Sequence, residues 1–343
     1  MNFVILFGGN SFEHEISIVS AITLKEKIKK HNLEFIYVDE NRDFYLIEKE
    51  NMKSKYFANK EYKNSKKVKI KKGGFFYKKA LLKREKDINF DVVINLIHGR
   101  DGEDGKIASL LDFFNIKAIT PNVEASTISY NKIFTKMYAK EIGVNVIDYE
   151  IINKPQTKFN FPVIVKPARL GSSIGVSIAK NEKDLIYAFD VAREFDELIL
   201  VEPFIEGIKE YNLAGCFTNE FIFSKIEKVQ KKEFLDFEKK YMDFNRKKIE
   251  FNKIDKNLEE KLKEAFKKVY NKIFLNALIR CDFFVKDNQV YLNEINSIPG
   301  SLANYLFDDF EDVLEKLARS VKNEELIPIN FEYINKIQMA KGK

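Results

Sequence analysis

The stretch RCDFFVKDNQVYLNEINSIPG, Arg280 to Gly300, constrains this chain more than any other, because carboxylates and amides recur inside two otherwise apolar runs. Side chains along a strand alternate between faces, so Arg280 and Asp282 share one face while Cys281 and Phe283 share the other. In the second run Tyr291, Asn293 and Ile295 alternate with Leu292, Glu294 and Asn296. Asp287-Asn288 reads as a turn, which predicts an antiparallel hairpin. A two-residue loop at 287 and 288 sets Asp282 opposite Asn293. A three-residue loop centred on Asn288 sets Asp282 opposite Glu294 and Arg280 opposite Asn296. Only the second gathers all four polar groups on one face, where two carboxylates and an amide oxygen suit Mg2+, a hard cation that bridges nucleotide phosphates. A solvated sheet face is the competing reading, and the hairpin alone does not choose between them.

At 343 residues the chain is too long for one small core, so two or three domains are expected. No apolar run is long enough to span a bilayer, and Met1 to Gly9 leads straight into a strand without a leader's charged region and cleavage site. A cytoplasmic protein with no membrane partner is the expectation. Cys216 and Cys281 stand alone, without metal or redox spacing, as reduced core residues. The net charge of +6 is local: Lys49 to Lys86 carries fifteen Lys or Arg against Glu50, Glu61 and Glu85, which leaves the rest of the chain acidic. That segment has β-like runs, VKIKK and FFYKK, around Gly73-Gly74 and no nucleic-acid motif, so it reads as a basic surface and no nucleic-acid partner is expected. Lysine on exposed strands also discourages edge pairing.

Asn2 to Phe7 reads as a strand, Gly8-Gly9-Asn10-Ser11 as a turn, and about Ile16 to Lys30 as a helix, the unit that opens doubly wound folds. The turn lacks the full G-x-G-x-x-G pattern, which disfavours a dehydrogenase. Glu13 at the helix start would, by itself, complement the helix dipole. Asp91 to Ile97, DVVINLI, has the continuous apolar character of a parallel strand buried on both faces, and His98 follows in a glycine-rich loop. Ligands of open α/β sheets bind at such strand ends. Helices are expected from about Lys106 to Phe114 and from about Ser126 to Ile142, the second stopped by Gly143 and carrying Lys132.

Lys166 ends the apolar strand Phe161 to Pro167, and the loop Arg169 to Val176 brings Gly171, Ser172, Ser173 and Gly175 directly after it. Glycines let backbone N–H groups approach phosphates and serines add donors, so strand lysine and loop together predict a phosphate flap. Leu198 to Ile205 is a further apolar strand; it either offers its backbone to a purine edge or is plain core, with Glu210 beyond it in reach of a ribose. Lys225 to Asn252 is polar and irregular, as lids are. Asn257 is expected to cap a helix from Leu258 to Phe274.

Taken in order, GGNSFEHEIS, HGRDGEDG, IVKPARLGSSIGV, EPFIEG, FEKKYM, RCDFF and NEINSIPG resemble the D-alanine–D-alanine ligases of the ATP-grasp superfamily, over roughly Asn2 to Lys322. The resemblance implies an α/β chain, α+β in its C-terminal part, in a three-domain ATP-grasp architecture. A Rossmann-like domain would span 1–120, a central ATP-grasp domain 121–205 and a C-terminal one 206–330, with a tail over 331–343. It also implies ATP as co-substrate, two magnesium ions with Mn2+ as an alternative, and D-alanine as substrate. The first D-alanine carboxylate would attack the γ-phosphate, and the second amine would displace phosphate from the acyl phosphate. Members are commonly dimers, so a homodimer is expected.

By the same resemblance Asp282, Glu294 and Asn296 match magnesium ligands, and Lys132, Lys166 and Lys240 match nucleotide-phosphate contacts, with Ser172 and Ser173 in the flap. Glu202, Phe204, Ile205 and Glu210 match the adenosine pocket. Glu13 matches the residue holding the first D-alanine's ammonium, linked to Ser172 and Tyr241, and His98 lies near that substrate's carboxylate. Arg280 and the Gly300 N–H match the oxyanion donors. Together these roles require the hairpin register with Asp282 opposite Glu294. After Gly300 the chain departs from the usual hydroxyl residues, leaving Ser301 and Tyr305 as the candidates for the second substrate's carboxylate. Lys240-Tyr241 stands where D-alanine:D-lactate ligases tend to carry histidine, which favours the dipeptide. A regulatory ATP-binding protein would have no use for Arg280 beside the metal ligands.

Overall fold

The computed structural model describes residues 1–78, 84–229, 254–323 and 325–341. Strands β1 (Asn2–Gly8), β2 (Asn32–Val38), β3 (Phe44–Ile47), β4 (Lys66–Lys71), β5 (Gly74–Lys78), β6 (Glu85–Asp87), β7 (Val92–Asn95) and β8 (Ala118–Ile119) form one sheet in the order β6-β5-β4-β3-β2-β1-β7-β8. Its β2-β1-β7-β8 half is parallel, as the continuous apolar runs predict, and β3 to β6 extend it as an antiparallel wing. The basic segment builds most of that wing. Some of its lysines meet carboxylates, Lys66 with Glu48 at 3.0 Å and Lys67 with Asp43 at 2.7 Å, so part of the charge is locally compensated.

The first helix runs His14–Lys27, shorter at its end than expected because Ile28 is already extended. DVVINLI forms a strand only over Val92–Asn95. The single helix expected from Ser126 to Ile142 is two, Val123–Tyr130 and Lys132–Glu141. Asn131 sits between them in extended conformation, and its side chain accepts the Ile133 N–H at 3.0 Å, which starts a new helix instead of continuing the old one. Lys132 therefore stands at a helix start, with its N–H on the Ala168 carbonyl at 2.9 Å.

Strands β9 (Glu150–Ile152), β10 (Val163–Pro167), β11 (Ser177–Ala179) and β12 (Ile199–Pro203) make a four-stranded antiparallel sheet, ordered β11-β10-β12-β9 and covered by the helix Glu182–Arg193. Strands β13 (Lys209–Phe217), β14 (Phe221–Phe223), β15 (Glu227–Lys228), β16 (Ile279–Lys286) and β17 (Gln289–Asn296) make the third sheet. Its covering helix is Lys256–Tyr270. Asp255 caps it, accepting the Leu258 N–H at 3.2 Å, in place of the expected Asn257. It stops at Tyr270, short of Phe274, which belongs to a separate 3-10 turn.

Two packing relationships bring the chain's ends to one place. Ala125 and Ala139, from the paired helices, are buried with Leu262, Phe266 and Leu292 against the third sheet. Leu302, Leu306, Phe310, Leu314 and Leu317 return to the first sheet and pack with Phe3, Ile5 and Phe7. The helix Glu332–Ala340 has no buried residue.

Candidate active site

The hairpin has a two-residue turn, with Lys286 opposite Gln289 and Asp287 and Asn288 both left-handed at φ 48° and 60°. The three-residue loop expected at Asn288 is therefore corrected. The register it was meant to deliver arises otherwise: Phe283 pairs with Leu292 but Asp282 with Glu294, so β17 accommodates Asn293 as a bulge. Arg280 pairs with Asn296 beyond it. A side-chain alternation read on a regular strand cannot foresee the extra residue.

On this face Arg280 donates from Nε and Nη2 to the two oxygens of Asp282 at 2.7 and 2.8 Å, and Asn296 Nδ2 donates to Asp282 Oδ2 at 3.1 Å. Burial pushes the Asp282 carboxyl up, Arg280 opposes this, and the adjacent Glu294 pushes it up further. Two adjacent carboxylates, one of them buried, fit a hard divalent cation, which would remove their mutual repulsion. Among the described residues no group of three or more His, Cys, Asp or Glu is arranged for a metal, so phosphate oxygens and water would have to complete the shell.

Lys132 joins this face to the flap. Its Nζ donates to the Leu170 carbonyl at 2.5 Å and lies 3.9 Å from Glu294 Oε2. Burial pulls the Lys132 ammonium down, with Glu294 opposing. Ser172 and Ser173 follow in the left-handed region, at φ 56° and 60°, and Ser172 Oγ donates to Glu13 Oε1.

Glu13 is buried between two glycines that leave room for it. A Cβ at Gly99 would lie 2.6 Å from Oε2, and one at Gly171 would lie 3.0 Å from Oε1. Burial and the nearby Glu103 push its carboxyl up, while the Ser172 hydrogen bond pulls it down. Its Oε2 has no hydrogen-bond partner among the described residues, an arrangement that suits a ligand cation.

His98, buried to 4% exposure, places Nε2 2.9 Å from Ser20 Oγ and Nδ1 3.8 Å from Glu103 Oε1. The same Ser20 Oγ accepts the Ser301 N–H at 3.1 Å, which ties the first helix to the loop after Pro299. There Ser301, Leu302 and Ala303 are all left-handed, at φ 48°, 50° and 49°. Each such residue costs about 1–2 kcal/mol and persists only where its surroundings hold it, here through Ser20 and the buried Leu302 and Ala303. A Cβ on Gly300 would meet nothing within 4 Å, so space lies open beside it. The Tyr305 hydroxyl donates to Glu227 Oε2 at 2.9 Å.

Glu202, from β12, lies between two lysines. Lys166 Nζ is 2.8 Å from its Oε2 and Lys136 Nζ 2.6 Å from its Oε1. Burial would raise the Glu202 carboxyl, but the two cations outweigh it and hold it below the usual range. Phe204 and Ile205 lie where the chain crosses from β12 to β13, the Phe204 N–H on the Pro162 carbonyl at 3.0 Å, and Glu210 is on β13 opposite Phe284. Lys240 and Tyr241 lie outside the described residues. Three contributors escaped the sequence reading. Lys136 had a signal, its spacing of one helical turn from Lys132; Ser20 and Glu227 had none.

A mixed first sheet with a parallel half, two antiparallel sheets that meet at a lysine-lined flap, and a carboxylate–arginine hairpin define the class of ATP-grasp ligases. A family model described as "D-ala D-ala ligase N-terminus" matches residues 2–121, and one described as "D-ala D-ala ligase C-terminus" matches residues 133–309. The chain belongs to the D-alanine–D-alanine ligase family. It is 57% identical over 348 residues to the D-alanine--D-alanine ligase of Campylobacter jejuni subsp. jejuni serotype O:6, and 52% identical over 347 residues to that of a Sulfurovum species, each covering 100% of both chains. A crystal structure of D-alanine-D-alanine ligase from Helicobacter pylori, 50% identical, superposes with a TM-score of 0.83 over 95% of this chain and 100% of that one. A D-Ala:D-Ser ligase from Enterococcus faecalis, 23% identical with a TM-score of 0.74 over 92% of this chain and 98% of that one, shares the fold.

Proposed function

We propose that this protein joins two D-alanines into D-alanyl-D-alanine for peptidoglycan, using ATP and passing through an acyl phosphate. The observation that carries this reading is the buried Glu13 carboxylate, with one oxygen on flap Ser172 and the other without a partner among the described residues. An amino acid's ammonium is the cation that fits it. His98 sits near that substrate's carboxylate, and Ser301 or Tyr305 receives the carboxylate of the second D-alanine.

The phosphates of ATP are held by Lys132, Lys166 and Lys240 and by the donors of Ser172 and Ser173, with the adenosine against Glu202, Phe204, Ile205 and Glu210. Asp282, Glu294 and Asn296 would hold two magnesium ions, or Mn2+, which neutralise phosphate charge when bound. Arg280 and the Gly300 N–H stabilise the oxyanion formed when the second amine adds. Tyr241, outside the described residues, has by the resemblance the part of linking a lid to Ser172 and Glu13. The domain limits at 120/121 and 205/206 belong to this reading, as do a homodimer and a cytoplasmic location. Among the described residues no helix is long and apolar enough to cross a membrane.

The test follows ADP release with D-alanine, with L-alanine, and with D-alanine plus D-lactate at several pH values. Release that depends on D-alanine and yields the dipeptide is expected. Its absence, under conditions where ATP demonstrably binds, would overturn the assignment, and a depsipeptide product would turn it towards a D-lactate ligase.

A further inference from the structure

Lys136 is among the most deeply buried charges in the molecule, at 1% exposure, and none of the roles above uses it. It lies one turn beyond Lys132 on the helix Lys132–Glu141. Its ammonium is fully occupied inside the wall of the site: Nζ donates to the Ile147 carbonyl at 3.1 Å, lies 2.6 Å from Glu202 Oε1 and sits 5.5 Å from the centre of the Tyr149 ring. It cannot itself reach a nucleotide. The second oxygen of the same carboxylate lies 2.8 Å from Lys166 Nζ, at the end of β10.

The charges decide what this arrangement does. Glu202 and Lys166 alone would form a neutral pair, and a neutral pair offers little attraction to a polyphosphate. Burial pulls the Lys136 ammonium down and Glu202, 2.6 Å away, opposes this; with Lys136 protonated, the buried group of three carries one net positive charge. In a buried site that difference acts over several ångströms, because the surroundings screen it weakly. We propose that Lys136 is a positioning residue: it takes up the charge of Glu202, so that Lys166 presents its own charge to the nucleotide phosphates. This rests on the reading of Lys166 as a phosphate contact.

The test uses the full-length protein, ADP with magnesium as the probe, calorimetry for binding and thermal melting for stability. Wild-type protein must bind ADP; if it does not, the nucleotide reading itself fails. Lys136→Gln keeps an amide donor for Glu202 and for the Ile147 carbonyl but removes the charge. It is expected to bind ADP about tenfold more weakly or worse, with a smaller effect on the D-alanine KM. Lys136→Gln/Glu202→Gln restores one net positive charge; because Glu202 is also read as lining the adenosine pocket, the two variants are compared with magnesium tripolyphosphate, which carries no adenosine, and the double variant is expected to bind it clearly better than Lys136→Gln does. Should Lys136→Gln melt too early to assay, the double variant, freed of the unbalanced carboxylate, is still expected to fold and bind. A Lys136→Gln protein that melts lower yet binds ADP as wild type does would make Lys136 purely structural. Binding of tripolyphosphate by the double variant no better than by Lys136→Gln would overturn the charge argument.

Discussion

Asp282 and Glu294 face each other across the β16/β17 hairpin although a two-residue turn joins its strands, because Asn293 bulges out of β17 between them and the turn. Were β17 regular, Asp282 would oppose Asn293, and Glu294 would point to the other face of the sheet. The bulge thus sets Asp282 beside Glu294 on this face, with Arg280 already clamped on Asp282.

Asp282→Asn is expected to raise the magnesium concentration needed for half-maximal ADP release by roughly 10–100-fold, the usual consequence of disturbing a metal's ligand sphere. The measurement is a magnesium titration at saturating ATP and D-alanine. A midpoint equal to that of the wild type would remove Asp282 from the metal site.

On the proposed roles, Arg280→Met separates metal holding from oxyanion stabilisation. Loss of one oxyanion donor typically lowers turnover by about 10²–10³-fold. Nucleotide binding should survive, since Arg280 touches Asp282 and not the flap. Single-turnover rates alongside ADP affinity distinguish the two effects, and near-normal turnover would show that Arg280 only orients Asp282.

On the role proposed for it, Glu13 must be ionised to hold an ammonium, and its carboxyl is pushed up by burial and by Glu103, with Ser172 pulling the other way. A raised carboxyl takes its proton at a higher pH, so the acid limb of kcat/KM for D-alanine should lie above the ordinary carboxylate range. Ser172→Ala removes the hydrogen bond that favours the ionised form and should move this limb to still higher pH. A limb that stays in place in the variant would mean that another group sets it.

At the base of the flap, Arg169 donates from Nε to Asp196 at 3.0 Å, and the Arg169 and Leu198 N–H groups donate to the same carboxylate at 2.8 and 3.1 Å. Burial would raise the Asp196 carboxyl, but these donors outweigh it and hold it below its usual range. The stabilisation is therefore complete above the unfolded aspartate pKa of about 3.9 and is lost as pH falls through the lower folded value. Asp196→Asn should cost about 1–3 kcal/mol at neutral pH, a figure kept modest because the arginine is partly exposed. Chemical denaturation at pH 7 and pH 3 measures it: the gap between wild type and variant should narrow at the lower pH, and a constant gap would assign the loss to packing.

The residues alone determined the parallel half of the first sheet, the glycine-serine loop after Lys166 and the hairpin's existence, because continuous apolar runs, glycine punctuation and period-two alternation are local signals; the antiparallel wing was not foreseen as part of that sheet. The ordered motifs determined the family. What the sequence could not deliver was set by contacts between distant segments. The bulge at Asn293 follows from how β17 fits β16; the break at Asn131 puts Lys132 beside Leu170; and Ser20 meets both His98 and Ser301 only because the C-terminal loop folds back on the first helix. Lys136 is the sharpest case. Its helical spacing from Lys132 was visible, but a lysine reads as solvent-facing until the fold brings Glu202 within 2.6 Å and closes the wall around them both. Burial is a property of the assembled chain, and burial makes one charge there decisive.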